Sequence, residues 1–317
     1  MKISWQALEP GDVVDVVAPA SGTASGELRK VVQLLQSWGL RARMDEKILG
    51  GPSPILAQED GERLRQLKRA LLNQDSKVIW ALRGGYGSLR LLPELAKLKK
   101  PRRVKLLVGF SDLTSLHSFV NTRWKWPSLH APGLESLTKK LVTDRVEREV
   151  KAVLFGTQDS LEFKGLVPLN GRFKNRIVAP VVGGNMAVIQ SSLGTRGALS
   201  GRGQVVVFEE VGEKLHRVDR MLVHMQQAGF FSGVRAVIFG DLLLDNKSAQ
   251  RQIWNWAVRD FAQAAPFPVF KGLGIGHGPT NRPLPLMTRA ELRSQEAKPS
   301  RAELTVHTGC AGKRGGS

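Results

Sequence analysis

Residues at three places in this chain stand where side chains can do acyl chemistry: Ser111, the carboxylate pair Glu209 and Glu210, and His277. Ser111 sits in "LLVGFSDLT", directly after an apolar run that reads as a buried strand and directly before a helical pattern. Such a corner holds a side chain out at the carboxyl edge of a sheet, beside the free N–H groups of a helix start. An oxyanion formed there can be held by the amide of the next residue, Asp112. The same position suits a plain helix cap supplied by Ser111 or Asp112, and from this stretch alone both readings stand. The α/β-hydrolase elbow Gly-x-Ser-x-Gly is only half present, because Leu113 stands where the second glycine belongs.

Partners for a nucleophile are few. The apolar run "VVVFEE" ends abruptly in Glu209 and Glu210, and a carboxylate at a strand end can orient a histidine or simply begin the next loop. "GIGHGPTN" places His277 between glycines, in a loop with little to bury it. His117, His216 and His224 fall on helical patterns and read as surface or packing residues, and His307 lies near the end of the chain. His130, in "SLHAPGL", is a candidate lining residue that follows a strand-like stretch. "RGGYGS" lacks the lysine of a Walker loop and the spacing of a dinucleotide fold, and a turn whose amides face a ligand or oxyanion accounts for its glycines.

The elements that must position these residues follow from periodicity. "DVVDVVAPA", "KVIWALRGG" and "RVKLLVGFSD" read as strands running into small-residue turns. Between them, "ELRKVVQLLQSWGL" and "GERLRQLKRALLNQ" carry apolar residues at helical spacing. Alternating strands and helices predict a parallel sheet covered on both faces, flavodoxin-like, with ligands beyond the carboxyl ends of the strands. This α/β domain is expected over 1–155. The turn-rich stretch 156–175 reads as a linker, and 176–317 as a second, mixed α/β domain built on "RIVAPVVG", "GQVVVFEE" and "RAVIFGD". The second domain also carries the helical patterns "KLHRVDRMLVHMQQAG" and "SAQRQIWNWAVRDFAQ", and its end holds one more strand before a frayed tail.

Composition bounds the rest. The chain has 317 residues, enough for two domains, and 42% hydrophobic against 24% charged content, which fits a water-soluble globular protein. Its apolar runs are strand-sized, well under the roughly 20 residues of a membrane span. The first residues, "MKISWQALEPGD", lack a continuous apolar signal core, so the expected location is the cytoplasm. Cys310 is the one cysteine, which excludes an internal disulfide and any cysteine-based metal site. Forty-seven Lys and Arg against 28 Asp and Glu give a net charge of +19, a field that attracts polyanions such as nucleic acid, anionic lipid or acidic wall polymer. The basic residues are scattered, with no nucleic-acid recognition motif, so no specific nucleic acid is expected.

Seven stretches in order, "VVAPASG", "RGGYGS", "LLVGFSDLT", "HAPGLESL", "VVGGNMAV", "VVFEEVGEKLHRVDRML" and "GIGHG", resemble the LD-carboxypeptidase family of serine peptidases. The resemblance implies a Ser-His-Glu triad of Ser111, His277 and Glu209, the first carboxylate after the apolar strand, in a cleft between the two domains. It implies removal of the terminal D-alanine from murein tetrapeptides without metal or cofactor, and makes a homodimer plausible. On this reading the oxyanion hole is the Asp112 amide with one from the glycine turn, Gly85, while Asn185 in "GGNM" and Arg83 contact substrate. A related branch, the microcin C immunity peptidases, cleaves peptidyl or aminoacyl nucleotides and needs an aromatic platform for the base, for which Trp124 and Trp126 are near in sequence. A non-catalytic polyanion-binding protein is the alternative that rests on charge alone, with a place at the cell wall as the matching alternative location.

Overall fold

The structure, a computed structural model, describes residues 4–243, 252–295 and 298–311. The start of the "SAQRQ" helical pattern and the end of the tail, 312–317, lie outside the described residues.

The first half is a parallel sheet of β2 (Val13–Val17), β3 (Arg41–Arg43), β4 (Ser76–Ala81), β5 (Leu106–Gly109) and β6 (Ser128–His130), preceded by a short β1 (Trp5–Gln6). Its spatial order is β3-β2-β4-β5-β6, the flavodoxin-like order, so the chain reverses direction across the sheet between β2 and β4. Both faces are covered, as near-continuous apolar strands require. Helix α1 (Ser25–Ser37) buries Val31 and Leu35 on one face, and α2 (Asp60–Leu72) buries Leu67, Ala70 and Leu71 on the other. Three further short helices follow in this half, α3 (Leu92–Leu95), α4 (Thr114–Phe119) and α5 (Leu134–Thr138), and then α6 (Asp144–Leu154).

The second half closes into a barrel of seven strands, a form the alternation of strands and helices did not disclose. Its strands are β7 (Ser160–Pro168), β8 (Arg176–Asn185), β9 (Val205–Val211), β10 (Ala236–Leu243), β11 (Val269–Lys271), β13 (Arg289–Gln295) and β14 (Lys298–His307). Residues 156–175, expected as a linker, hold β7, whose Leu161, Phe163 and Leu166 are buried in the barrel interior while the strand pairs with β14 and β11. Helices α7 (Met186–Ser192), α8 (Leu215–Gln227) and α9 (Ala257–Ala264) belong to this half, and Val182, Val206, Phe208, Val237 and Phe239 pack in one apolar cluster with their side chains.

Two crossings tie the halves together. Strand β12 (Leu284–Leu286) leaves the barrel region and adds antiparallel to β6 as the sixth strand of the first sheet, Leu284 opposite His130. At the far end, β15 (Cys310–Ala311) pairs with β1. Barrel-interior residues and one face of the parallel sheet form one continuous apolar core.

Candidate active site

Strand β5 is fully buried and stops at Gly109, where a side chain would strike Leu113 at 2.9 Å. Phe110 is extended, and Ser111 then takes φ 60°, a left-handed conformation that a serine adopts at a cost of about 1–3 kcal/mol. The chain continues into a 3₁₀ turn, Ser111–Leu113, and α4. Neither Ser111 nor Asp112 caps these helices. Leu113 fills the place of the missing second glycine, and the close approach is supplied from elsewhere. A methyl group on Gly84 would lie 2.8 Å from the Ser111 Cβ and 3.1 Å from its Oγ, so the "RGGYG" turn must be bare there.

The two carboxylates at the end of β9 part company by the period of a strand. Val205 and Val207 face the barrel interior and Val206 and Phe208 the helices. Glu209 continues the first set and accepts a hydrogen bond from His277 Nδ1 on Oε2 at 2.7 Å. Glu210 continues the second, accepting from Ala187 N at 2.7 Å, Asn185 Nδ2 at 2.9 Å and Val211 N at 2.9 Å. Burial pushes the Glu210 carboxyl up to about 7 against the pull of those donors.

His277 lies in the loop between β11 and β12, its Nε2 3.0 Å from Ser111 Oγ. Because Nδ1 donates to a carboxylate, Nε2 of the neutral ring is the acceptor and the serine hydroxyl donates to it. Burial lowers the affinity of His277 for a proton, but the hydrogen bond and charge of Glu209, with the charges of Glu210 and Asp241, outweigh it and hold the pKa above the ordinary histidine value. The flanking glycines are steric necessities. A methyl on Gly276 (φ 135°) would lie 2.8 Å from Asp241 Cβ, and one on Gly278 2.7 Å from Asp241 Oδ2. The Phe110 ring covers the imidazole, centroids 5.0 Å apart. Arg282 anchors the loop through Glu149, at 2.8 and 2.9 Å, and through the Glu162 carbonyl at 2.8 Å.

The remaining sequence candidates take these places. Asp112 turns its carboxylate to the amides of Gly87 (3.2 Å) and Ser88 (2.8 Å), so it clamps the glycine turn against the Ser111 turn, and burial raises its pKa. Gly85 has φ 105° and is packed so tightly on Ser21 that a side chain would meet Ser21 Oγ at 2.3 Å. Asn185 is buried, caps α7 by accepting from Val188 N at 3.1 Å, and donates its backbone N–H to Thr114 Oγ1 at 2.9 Å. A methyl on the preceding Gly184 would strike Thr114 Oγ1 at 2.4 Å, so "GGN" brings the barrel edge against the nucleophile helix. Arg83 is partly exposed and pairs with Glu135 at 3.4 Å. Trp124 and Trp126 are buried and pack on each other, centroids 5.0 Å apart, in the core beneath the sheet. His117 is buried and donates to the Gly109 carbonyl at 2.9 Å, while His216, His224 and His307 are exposed.

Sequence reasoning missed Asp241 and Thr114. "VIFGD" carries the same signal as "VVFEE", a carboxylate closing an apolar strand, whereas nothing marks Thr114 among the polar residues of its helix. His130 is buried with neither ring nitrogen in a hydrogen bond, and Glu209 Oε1 is likewise unpaired among the described residues.

Hydroxyl, imidazole and carboxylate thus form one hydrogen-bonded line at the meeting of two strand ends and one loop. That line can activate a serine for attack on a carbonyl. The chain agrees with the LD-carboxypeptidase N-terminal domain over residues 14–131 and with the LD-carboxypeptidase C-terminal domain over 178–292. A Rickettsia conorii relative, provisionally named a carboxypeptidase, is 32% identical over 289 residues, 90% of this chain and 89% of its own. This chain belongs to the LD-carboxypeptidase family. The murein tetrapeptide carboxypeptidase of Pseudomonas aeruginosa is 27% identical over 308 residues, 93% of this chain and 97% of its own. Among solved structures, the muramoyltetrapeptide carboxypeptidase of Oxalobacter formigenes has the same fold, with a TM-score of 0.78 at 24% identity over 93% of this chain and 98% of that one. So does the microcin C7 self-immunity protein, with a TM-score of 0.80 at 17% identity over 96% and 98%. This LD-carboxypeptidase is therefore a serine-type hydrolase in two sequence-defined halves, with Ser111 in one and Glu209 and His277 in the other.

Proposed function

We propose that this enzyme removes the terminal D-alanine from murein tetrapeptides, cutting the bond between the L-centre of the diamino acid and D-Ala, in the cytoplasm during peptidoglycan recycling or remodelling. The observation that carries the reading is the hydrogen-bonded line Ser111–His277–Glu209 within a chain of this family. Substrate lies in the cleft between the parallel sheet and the barrel. His277 Nε2 takes the Ser111 proton as Oγ attacks the carbonyl of the diamino acid, and Glu209 steadies the imidazolium. The amides of Asp112 and Gly85 receive the oxyanion. As the tetrahedral species collapses, His277 returns the proton to the D-Ala amine, which leaves. Water, deprotonated by the same histidine, then releases the tripeptide from the serine ester. The net charge of +19 draws acidic peptides toward the protein.

Cleavage of aminoacyl nucleotides is the second reading. Its aromatic platform does not come from Trp124 or Trp126, whose rings are occupied in the core. The test incubates purified enzyme with a murein tetrapeptide and follows loss of one alanine by mass spectrometry. Ser111→Ala is expected to abolish the loss while keeping the melting transition. Retained turnover in that variant overturns the triad, and cleavage of an aminoacyl nucleotide with the tetrapeptide left intact reassigns the substrate.

A further inference from the structure

A cavity of about 510 Å³ opens beside the nucleophile, lined by the loop after β2 (Ser21 to Ala24) and by Arg83, Tyr86, Glu135 and Lys139. It lies at the carboxyl ends of β2 and β4, where the strand order reverses, the place at which open α/β sheets bind ligands. Arg83 immediately precedes Gly84, the residue against which Ser111 packs. The cavity wall at Arg83 is therefore one residue along the chain from the turn that packs on Ser111.

Its charges are arranged in layers. Glu135 lies beneath, its side chain 9% exposed, and accepts from Thr23 Oγ1 at 2.5 Å and Lys139 Nζ at 2.6 Å on the same oxygen. Burial raises its pKa, but Lys139, Thr23 and the charge of Arg83 together keep it below the usual carboxylate value, so it is ionised. Above it stand two cations, Arg83 and Lys139, with side chains 40% and 41% exposed. Arg83 spends Nε on Glu135 and Nη1 on the Gly22 carbonyl, both at 3.4 Å, which leaves Nη2 without a protein acceptor among the described residues. One buried anion beneath two half-exposed cations leaves a net positive charge and unspent N–H donors on the cavity side.

We infer that this cavity is a carboxylate subsite: Arg83 and Lys139 grip a carboxylate of the substrate, and Glu135 holds the two cations in place from below. The inference rests on the peptidase reading above. A guanidinium fork fits a carboxylate in two parallel hydrogen bonds. The carboxylate has two sources in a murein peptide: the C-terminus of the leaving residue, or the side-chain end of a diamino acid that carries one.

The test compares wild type with Arg83→Gln, Arg83→Lys and Lys139→Gln on three peptides: the parent tetrapeptide with a side-chain carboxylate, its C-terminal amide, and its lysine counterpart. Thermal melting checks each fold, and binding of the parent is measured separately by calorimetry in a Ser111→Ala background. Losing a hydrogen bond to a charged group is expected to raise KM and Kd for the parent about tenfold or more, with kcat changed far less. Arg83→Lys is expected to fall between Gln and wild type. The substitution loses its penalty on whichever analogue lacks the gripped carboxylate, and this identifies the source. Equal penalties on all three peptides, or KM and Kd unchanged within twofold, overturn the subsite. Binding that depends on Arg83 without turnover by wild type overturns the peptidase reading and leaves the subsite standing. A parent peptide that neither binds nor reacts overturns both.

Discussion

Glu209 and Glu210 are neighbours on one strand and serve opposite sides of it. Glu209 Oε2 holds the His277 ring at 2.7 Å, while Glu210 is 2.7 Å from the Ala187 amide at the start of α7. One carboxylate holds the imidazole of His277 and the other secures α7, which packs on α4, the helix that follows Ser111. Exchanging their roles would require a one-residue slip of β9, which would turn every side chain of that strand to the wrong face.

Glu209→Gln is expected to lower kcat by about a thousandfold or more, because the amide favours the wrong imidazole tautomer and no longer offsets its charge. Glu210→Gln keeps most of kcat. Steady-state kinetics on both variants separates the two, and comparable losses would refute the division of labour.

Glu210 also writes a pH dependence into stability. Its folded pKa, raised from 4.5 to about 7, means that the folded chain holds this proton more tightly than the unfolded one. Its contribution is fully present below pH 4.5 and is lost as pH rises toward 7, on the order of a few kcal/mol. Denaturant titrations at pH 5 and pH 7.5 should show a smaller difference between the two pH values in Glu210→Gln than in wild type.

The proposed mechanism needs His277 neutral, and its pKa lies above the ordinary histidine value. Activity is therefore expected to fall on acidification through a midpoint above 6.5. Asp241→Asn removes one of the carboxylates that raise it, so the acid limb of kcat/KM should move to lower pH. A limb that stays put would show that Asp241 shapes the loop without acting on the base.

Backbone strain gives a fourth expectation. Ser111 holds φ 60°, where glycine is at ease and alanine is not. Ser111→Gly should be more stable than Ser111→Ala by about 1 kcal/mol, both variants being inactive. Chemical denaturation measures the difference. By the same close packing, Gly84→Ala should displace the serine and cost about a hundredfold in kcat, since misplacement by an ångström is enough.

Much of the candidate site was legible because each residue of it stood at an interruption of a strong local pattern. Ser111 and Glu209 end apolar strands, and His277 stands between glycines that its neighbours make obligatory. Asn185 shows the opposite case. Its importance is plain in "GGNM", but what it touches, Thr114 and Glu210, lies 71 and 25 residues away, and no local pattern separates a fastener from a substrate contact. The alternating layers of the first half were readable from periodicity, whereas the barrel was not. Strand β13 pairs with β8 across more than a hundred residues, and such closure depends on long-range register that a short alternating stretch like "RAELRSQ" does not announce.

The excursion of β12 into the first sheet makes the hydrolase a late product of its own synthesis. Ser111 and its sheet emerge from the ribosome long before the loop that carries His277 and the strand, Leu284–Leu286, that seats that loop against β6. Until then Ser111 Oγ lacks its partner His277 Nε2. A fragment that stops short of residue 284 lacks the strand that seats this loop against β6. The line Ser111–His277–Glu209 is thus completed only once the last third of the chain has been made.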